Sequence, residues 1–294
     1  MSQLEYDQVD VFAPIPFSGN SLTVFRDAGS LHGSQMLRIT QEMRHFESIF
    51  LSSAGAPNTY HAQVFDLTGE LDFAGHPLLG AACVLHSRVN TGDRAVWTFL
   101  LRTKTVNVIT DREGDAFRAL LDQGRPEFLG EVPWTRREEF AVAVNLEVDQ
   151  LSRNFPLEVV STGLQYLIVP IERGLERARI VRADFEALLR TVNAQFAYVL
   201  DVRELEGRHW NNDGVMEDIA TGSGAGTVGA YVTKRGRIKA GEEFILRQGR
   251  FLGRPSEIRV RSEGTPGEIT RVQVGGDVAL VGRGVLDALP EIEA

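Results

Sequence analysis

Apolar and polar residues alternate with a period of two over many short stretches of this chain, and a helical spacing appears between them. Strands are predicted at residues 8–12 and 22–26, on either side of a Pro- and Gly-bearing loop at 14–20. Met36, Leu37, Ile39 and Met43 fall close to helical spacing and predict a helix over 34–43, after which 48–52 reads as strand. Residues 61–73 alternate weakly and lead to a turn at Gly75 and an apolar helix over 78–87. Strands follow at 96–101, 106–110 and 116–121. The pattern then breaks across 124–134, where Pro126, Gly130 and Pro133 mark a boundary near residue 127. Beyond it the order returns: a strand at 165–170, an amphipathic helix at 183–192, a strand at 196–202 and a polar crossing at 203–218. A second glycine-rich turn opens a helix over 226–235, and strands are predicted at 243–247, 257–261, 270–275 and 278–282. The repetition predicts a duplicated α+β unit with mostly antiparallel strands, its halves being 1–127 and 128–294, the last strands free to pack back on the first half.

The two turns carry the first chemical signal. One runs Gly75-His76-Pro77-Leu78-Leu79-Gly80, the other Thr221-Gly222-Ser223-Gly224-Ala225-Gly226. A helix start exposes unpaired N–H groups and partial positive charge, and glycine lets a ligand come close, so each turn suits a carboxylate or phosphate. Two such turns facing one another would clamp a small anionic substrate. Gly224-x-Gly226-x-x-Gly229 formally matches a dinucleotide fingerprint, but Glu217-Asp218-Ile219-Ala220-Thr221 precedes it where a buried apolar strand is required. No Gly-Lys-Ser/Thr follows at phosphate-loop spacing.

Charge and composition narrow the partners. With 31 basic and 40 acidic side chains the net charge is -9, and no block of Lys and Arg could track nucleic acid. A single cysteine, Cys83, excludes an internal disulfide and sits in an apolar helix, where it reads as a buried, inert thiol. Residues 1–10 lack the order of a signal peptide, and no run nears the roughly 18 apolar residues of a membrane span. A soluble, cytoplasmic protein is expected. The six histidines show no metal-ligand spacing, so no metal is expected.

Four polar positions are open to two readings. His76, between a glycine and a proline at a helix start, either lines a cavity or caps its own helix. Glu47, between Phe46 and the apolar run Ile49-Phe50-Leu51, is either an edge-strand glutamate in solvent or a desolvated carboxylate with a pKa raised towards neutrality and fit for proton transfer. Glu217 and Asp218 are either first-turn acids favoured by the helix dipole or groups of a site.

These residues together resemble the phenazine biosynthesis PhzF family of the diaminopimelate epimerase-like superfamily. The resemblance runs nearly end to end: Asp10-Val11-Phe12 with Gly19-Asn20, Glu47-Ser48-Ile49-Phe50, Phe73-Ala74-Gly75-His76-Pro77, Glu217-Asp218-Ile219-Ala220-Thr221-Gly222-Ser223, and Gln248-Gly249-Arg250 with Gly253-Arg254-Pro255. It implies an α+β fold of two pseudo-symmetric, β-barrel-like halves, each around a central helix, with the active site between them. The positions matching the epimerases' two catalytic cysteines are Gly75 and Thr221, so two-thiol racemisation is disfavoured. What the resemblance implies instead is a cofactor-independent isomerase in which Glu47 takes a proton from one carbon and returns it to another. His76, Asp218 and Ser223 then support it, and Asn20, Asp72, Gly75, Thr221, Gly222 and Gly224 lie at the substrate, a small, carboxylated, amino-bearing cyclic metabolite. It also implies a homodimer, for which the predicted edge at 244–247 offers a surface. Departures from the family pattern are Ser21, Ile219 and the stretch Arg208-His209-Trp210-Asn211-Asn212-Asp213, which replaces an apolar segment and changes part of the substrate wall. A lyase or dehydratase using the same glutamate, and a non-catalytic binder of small anions, are the other readings.

Overall fold

A computed structural model describes residues 3–89 and 92–292. Its strands are β1 (Leu4–Val11), β2 (Asn20–Phe25), β3 (Glu47–Ser53), β4 (Thr59–Asp66), β5 (Glu70–Leu71), β6 (Arg94–Leu100), β7 (Thr105–Glu113), β8 (Ala116–Gly124), β9 (Glu127–Glu131), β10 (Glu158–Ser161), β11 (Gln165–Ile171), β12 (Phe196–Asp201), β13 (Glu206–Trp210), β14 (Glu217–Asp218), β15 (Glu243–Gln248), β16 (Ser256–Thr265) and β17 (Glu268–Leu286). The helices are α1 (Gly33–Met43), α2 (Gly75–Arg88), α3 (Arg137–Ala143), α4 (Phe185–Arg190) and α5 (Gly222–Lys234). Two compact units form, Met1–Leu121 with Gly275–Ala294, and Asp122–Val274.

In the first unit the pairings β1–β2, β2–β3, β3–β4, β4–β6, β6–β7, β7–β8, β8–β17 and β17–β1 close into an eight-strand barrel. Alternation explains its strands: Ala95, Trp97 and Phe99 of β6 turn inward while Arg94, Val96 and Thr98 are more exposed. Helix α2 is buried from His76 to His86, as its apolar character on every side requires. Gly80 permits the fit, because a Cβ there would lie 2.5 Å from Leu22 Cδ2 and 3.0 Å from Val11 Cγ2. Outside the barrel, α1 covers an aromatic cluster in which Phe25 and Phe50 stack at 4.7 Å.

The second unit repeats the same pairing scheme. Where the first has β1–β2 antiparallel, β2–β3 parallel, β3–β4 and β4–β5 antiparallel and β4–β6 parallel, the second has β10–β11 antiparallel, β11–β12 parallel, β12–β13 and β13–β14 antiparallel and β13–β15 parallel. Helix α5 takes the place of α2 and is buried from Gly224 to Thr233.

Several predicted elements are corrected. Both central helices start earlier than expected, at Gly75 and Gly222, so the glycine turns are their first helical residues. Gly224 and Gly226 sit inside α5 because a Cβ would press on Tyr198 at 2.8 Å and on the Gln123 side chain at 1.9 Å. The polar crossing contains a fully buried strand, β13. Its charges are paired with distant partners: Arg208 holds Glu217 through bonds of 2.8 and 2.6 Å and Glu206 accepts from Arg250 at 2.9 and 2.7 Å. The strands predicted at 270–275 and 278–282 are one continuous strand, and Gly275 within it marks close approach to β8, a Cβ there falling 2.2 Å from Ala119 O. The helix expected over 183–192 is only Phe185–Arg190. The expected edge at 244–247 lies in β15, which pairs with β16 along one side and with β13 only at Arg247, while the Phe244 and Leu246 side chains are buried.

Candidate functional site

In the first unit Glu47 opens β3, and the parallel register sets it beside Leu22. His76 is the second residue of α2. The two meet across 29 residues of sequence: His76 Nδ1 lies 3.3 Å from Glu47 Oε2, with 6% and 7% of each residue exposed. The N-cap of α2 is Ala74, with no side-chain capping bond, so His76 belongs to the helix rather than capping it. A carboxylate and an imidazole in contact with little water around them can hold one proton between them and pass it on. Asn20, the first residue of β2, is 1% exposed and follows Gly19, whose φ of +64° and whose Cβ position 2.4 Å from Val11 O both require glycine. Gly75 begins α2. Asp72 is exposed and accepts a bond of 3.0 Å from Arg102 Nε.

In the second unit Asp218 ends β14, and Thr221, Gly222, Ser223 and Gly224 form the cap and first turn of α5. The Thr221 hydroxyl donates to Asp218 Oδ2 at 2.7 Å, and Ala220 N donates to Oδ1 at 3.3 Å. Gln248 holds this turn from below. Its Nε2 donates to Asp218 O at 2.8 Å and to Thr221 Oγ1 at 3.0 Å, while its Oε1 accepts from Tyr198 OH at 2.9 Å and Thr221 N at 3.1 Å. Gln123 Nε2 donates to Gly222 O at 3.0 Å, and Ser223 Oγ lies 2.8 Å from Tyr166 OH. The first N–H groups of α5 have no partner within the helix, and the helix dipole favours an anion there.

Sequence reasoning assigned no role to Gln248, Tyr166 or Gln123. Gln248 lies in the Gln248-Gly249-Arg250 run that carries part of the family resemblance, whereas Tyr166 and Gln123 carry no local signal. Burial pushes the Tyr198 hydroxyl well above its usual pKa, with Asp218 adding to the effect, so it remains a donor. Burial likewise pushes the Cys83 thiol up.

Residues 9–284 match the family described as phenazine biosynthesis-like protein, PhzC-PhzF. A trans-2,3-dihydro-3-hydroxyanthranilate isomerase from Pseudomonas chlororaphis is 30% identical, covering 96% of this chain and 98% of its own. The structure of a predicted epimerase from Pseudomonas aeruginosa superposes with a TM-score of 0.89 at 43% identity, over 97% of this chain and 99% of that one. A Bacillus anthracis protein of the PhzF family, 24% identical, shares the fold with a TM-score of 0.81 over 97% and 99% of the two chains.

Proposed function

The chain belongs to the phenazine biosynthesis-like PhzC-PhzF family, and from that premise we propose that it is an isomerase moving a proton within a small, carboxylated, amino-bearing ring, with Glu47 as the acid and base. The observation that carries this reading is the Glu47–His76 contact at 3.3 Å, both side chains nearly sealed from solvent. Glu47 removes a proton from a ring carbon. The C–H electron pair enters the π system conjugated with the substrate carboxylate, and the protonated Glu47 returns the proton to a different carbon. One C–H bond breaks, one forms, and the double bond shifts. No electron enters or leaves, so the balance calls for no redox cofactor.

His76 orients the Glu47 carboxylate and shares its proton. Asp218 and Ser223, with Asn20 and the N–H groups that open α2 and α5, are the groups assigned to the amino and carboxylate functions of the substrate, and those N–H groups oppose the negative charge that develops as the proton leaves. Asp72, Gly75, Thr221, Gly222 and Gly224 complete the proposed set. A homodimer in the cytoplasm belongs to the same reading; light scattering on the purified protein checks the dimer, and cell fractionation the location.

The test is incubation with trans-2,3-dihydro-3-hydroxyanthranilate in deuterated water, followed by NMR and mass spectrometry. Wild type should give a product of shifted double bond, carrying solvent deuterium on carbon where the proton held on Glu47 exchanges before it is returned, and Glu47→Gln should slow its formation by about 10²–10⁴-fold. A loss of 18 mass units would instead establish a dehydratase. A double-bond shift that proceeds in Glu47→Gln at close to the wild-type rate rules out the assignment.

A further inference from the structure

His209 lies in the stretch that departs from the family pattern, and the reaction above leaves it without a role. Antiparallel pairing of β13 with β14 makes it the direct partner of Asp218. Its ring meets Tyr166 edge-on at 5.4 Å and Phe196 at 5.7 Å, and Tyr166 in turn reaches Ser223. His209 is thus set among the side chains around the start of α5.

The repeated pairing scheme shows what the fold itself needs at these two places. Val64 of β4 faces Leu71 of β5 as His209 of β13 faces Asp218 of β14. Gly75 opens α2 four residues after Leu71, as Gly222 opens α5 four residues after Asp218. The topology is therefore built in the first unit with an apolar pair. An imidazole beside a carboxylate, 6% and 9% exposed, costs desolvation that the architecture does not demand.

The ring's protonation pattern is set by its neighbours. Nδ1 lies 2.9 Å from Ala197 O, and a carbonyl only accepts, so Nδ1 carries the hydrogen. Burial lowers the pKa of His209, and this outweighs Asp218, the Ala197 bond and Glu217, which all raise it. In the neutral ring Nε2 is left as an acceptor.

We propose that His209 is a substrate-positioning residue whose Nε2 accepts one N–H of the substrate's amino group while Asp218 accepts another. The inference rests on the isomerase reading for the substrate's identity and adds to it a specific requirement, a ring carboxylate bearing an N–H donor. Two acceptors of different strength, a carboxylate and a neutral imidazole, favour an amino group over a hydrogen or a methyl at that ring position.

Anthranilate and benzoate, which differ only in the amino group, test it by titration calorimetry on wild type, His209→Asn and His209→Gln. The asparagine amide can still donate to Ala197 O but has no atom at Nε2, whereas the glutamine amide oxygen can reach that place. Wild type should bind anthranilate the tighter. His209→Asn should lose about tenfold for anthranilate, the worth of one hydrogen bond, and leave benzoate unchanged; His209→Gln should recover part of the loss. With trans-2,3-dihydro-3-hydroxyanthranilate the same variant should raise KM more than it lowers kcat. An equal loss for both probes, no loss for either, or no binding of either by wild type overturns the proposal. Amine preference that depends on His209 but without any shift of the double bond keeps it and removes the isomerase reading; a double-bond shift with an unchanged KM in His209→Asn does the reverse.

Discussion

Replacing Gln248 by glutamate exchanges one nitrogen for one oxygen at the centre of the second unit's network. Gln248 is 1% exposed, and its Nε2 is 2.8 Å from the Asp218 carbonyl oxygen. The new carboxyl can still accept from Tyr198 OH and Thr221 N through the retained oxygen. Its second oxygen, if ionised, would face a carbonyl oxygen in a place closed to water, so folding favours the protonated acid and the folded pKa lies above the unfolded value of about 4.3. Below that value both states are protonated, and the cost is about 1 kcal/mol for the one bond of Nε2 that a single O–H cannot replace. As pH rises the unfolded chain ionises first, and stability falls by about 1.4 kcal/mol per pH unit until the folded pKa is reached. The total loss near pH 8 should be about 3–5 kcal/mol, the range for an uncompensated buried charge. Urea midpoints of wild type and Gln248→Glu at pH 5 and pH 8 measure it. A difference between the two proteins that is the same at both pH values would refute the argument, since it would mean that the position is open to water.

Four other outcomes are expected. Glu47→Gln should slow the double-bond shift by about 10²–10⁴-fold while calorimetric binding of anthranilate stays within a few-fold. Gly80→Ala should cost about 1–3 kcal/mol, seen as a lower Tm, because its Cβ would stand 2.5 Å from Leu22 Cδ2 and 3.1 Å from Val9 Cγ2 in the packed barrel. Cys83 should resist iodoacetamide in the native protein and react in denaturant, since its thiol is wholly buried and held above its usual pKa. His209, whose pKa burial depresses, contributes stability above its unfolded pKa of about 6.5 that is lost as pH falls through the lower folded value, so the urea midpoint between pH 7 and pH 5 should drop less in His209→Phe than in wild type.

Local pattern was enough for much of the architecture. Helix α1 was predicted over 34–43 and spans Gly33–Met43, because four apolar residues at helical spacing, the buried Met36 and Ile39 and the partly buried Leu37 and Met43, mark the face that packs on the barrel. The strands of β6 and β7 follow from alternation for the same reason. Duplication was legible as well, through the order of strands and the two Gly-bearing helix starts. The glycine runs themselves misled about helix starts, because their freedom is used for close packing against Tyr198 and Gln123 rather than for a turn.

What lay outside local pattern depended on partners far along the chain. Strand β13 reads as polar until Glu217 and Arg250 are supplied to its charges. Glu47 could be seen in the sequence as a candidate, but between a solvent-exposed edge and a sealed carboxylate only the β2–β3 register and the start of α2 decide, by bringing His76 to 3.3 Å from it. His209 stood out in the sequence only as part of a changed stretch, and the strand register alone made it the partner of Asp218. The sequence by itself determined which segments would be amphipathic, because period and burial are properties of neighbouring residues; tertiary structure decided which polar groups are buried together, because desolvation and hydrogen bonding depend on groups that only the folded chain brings within a few ångströms.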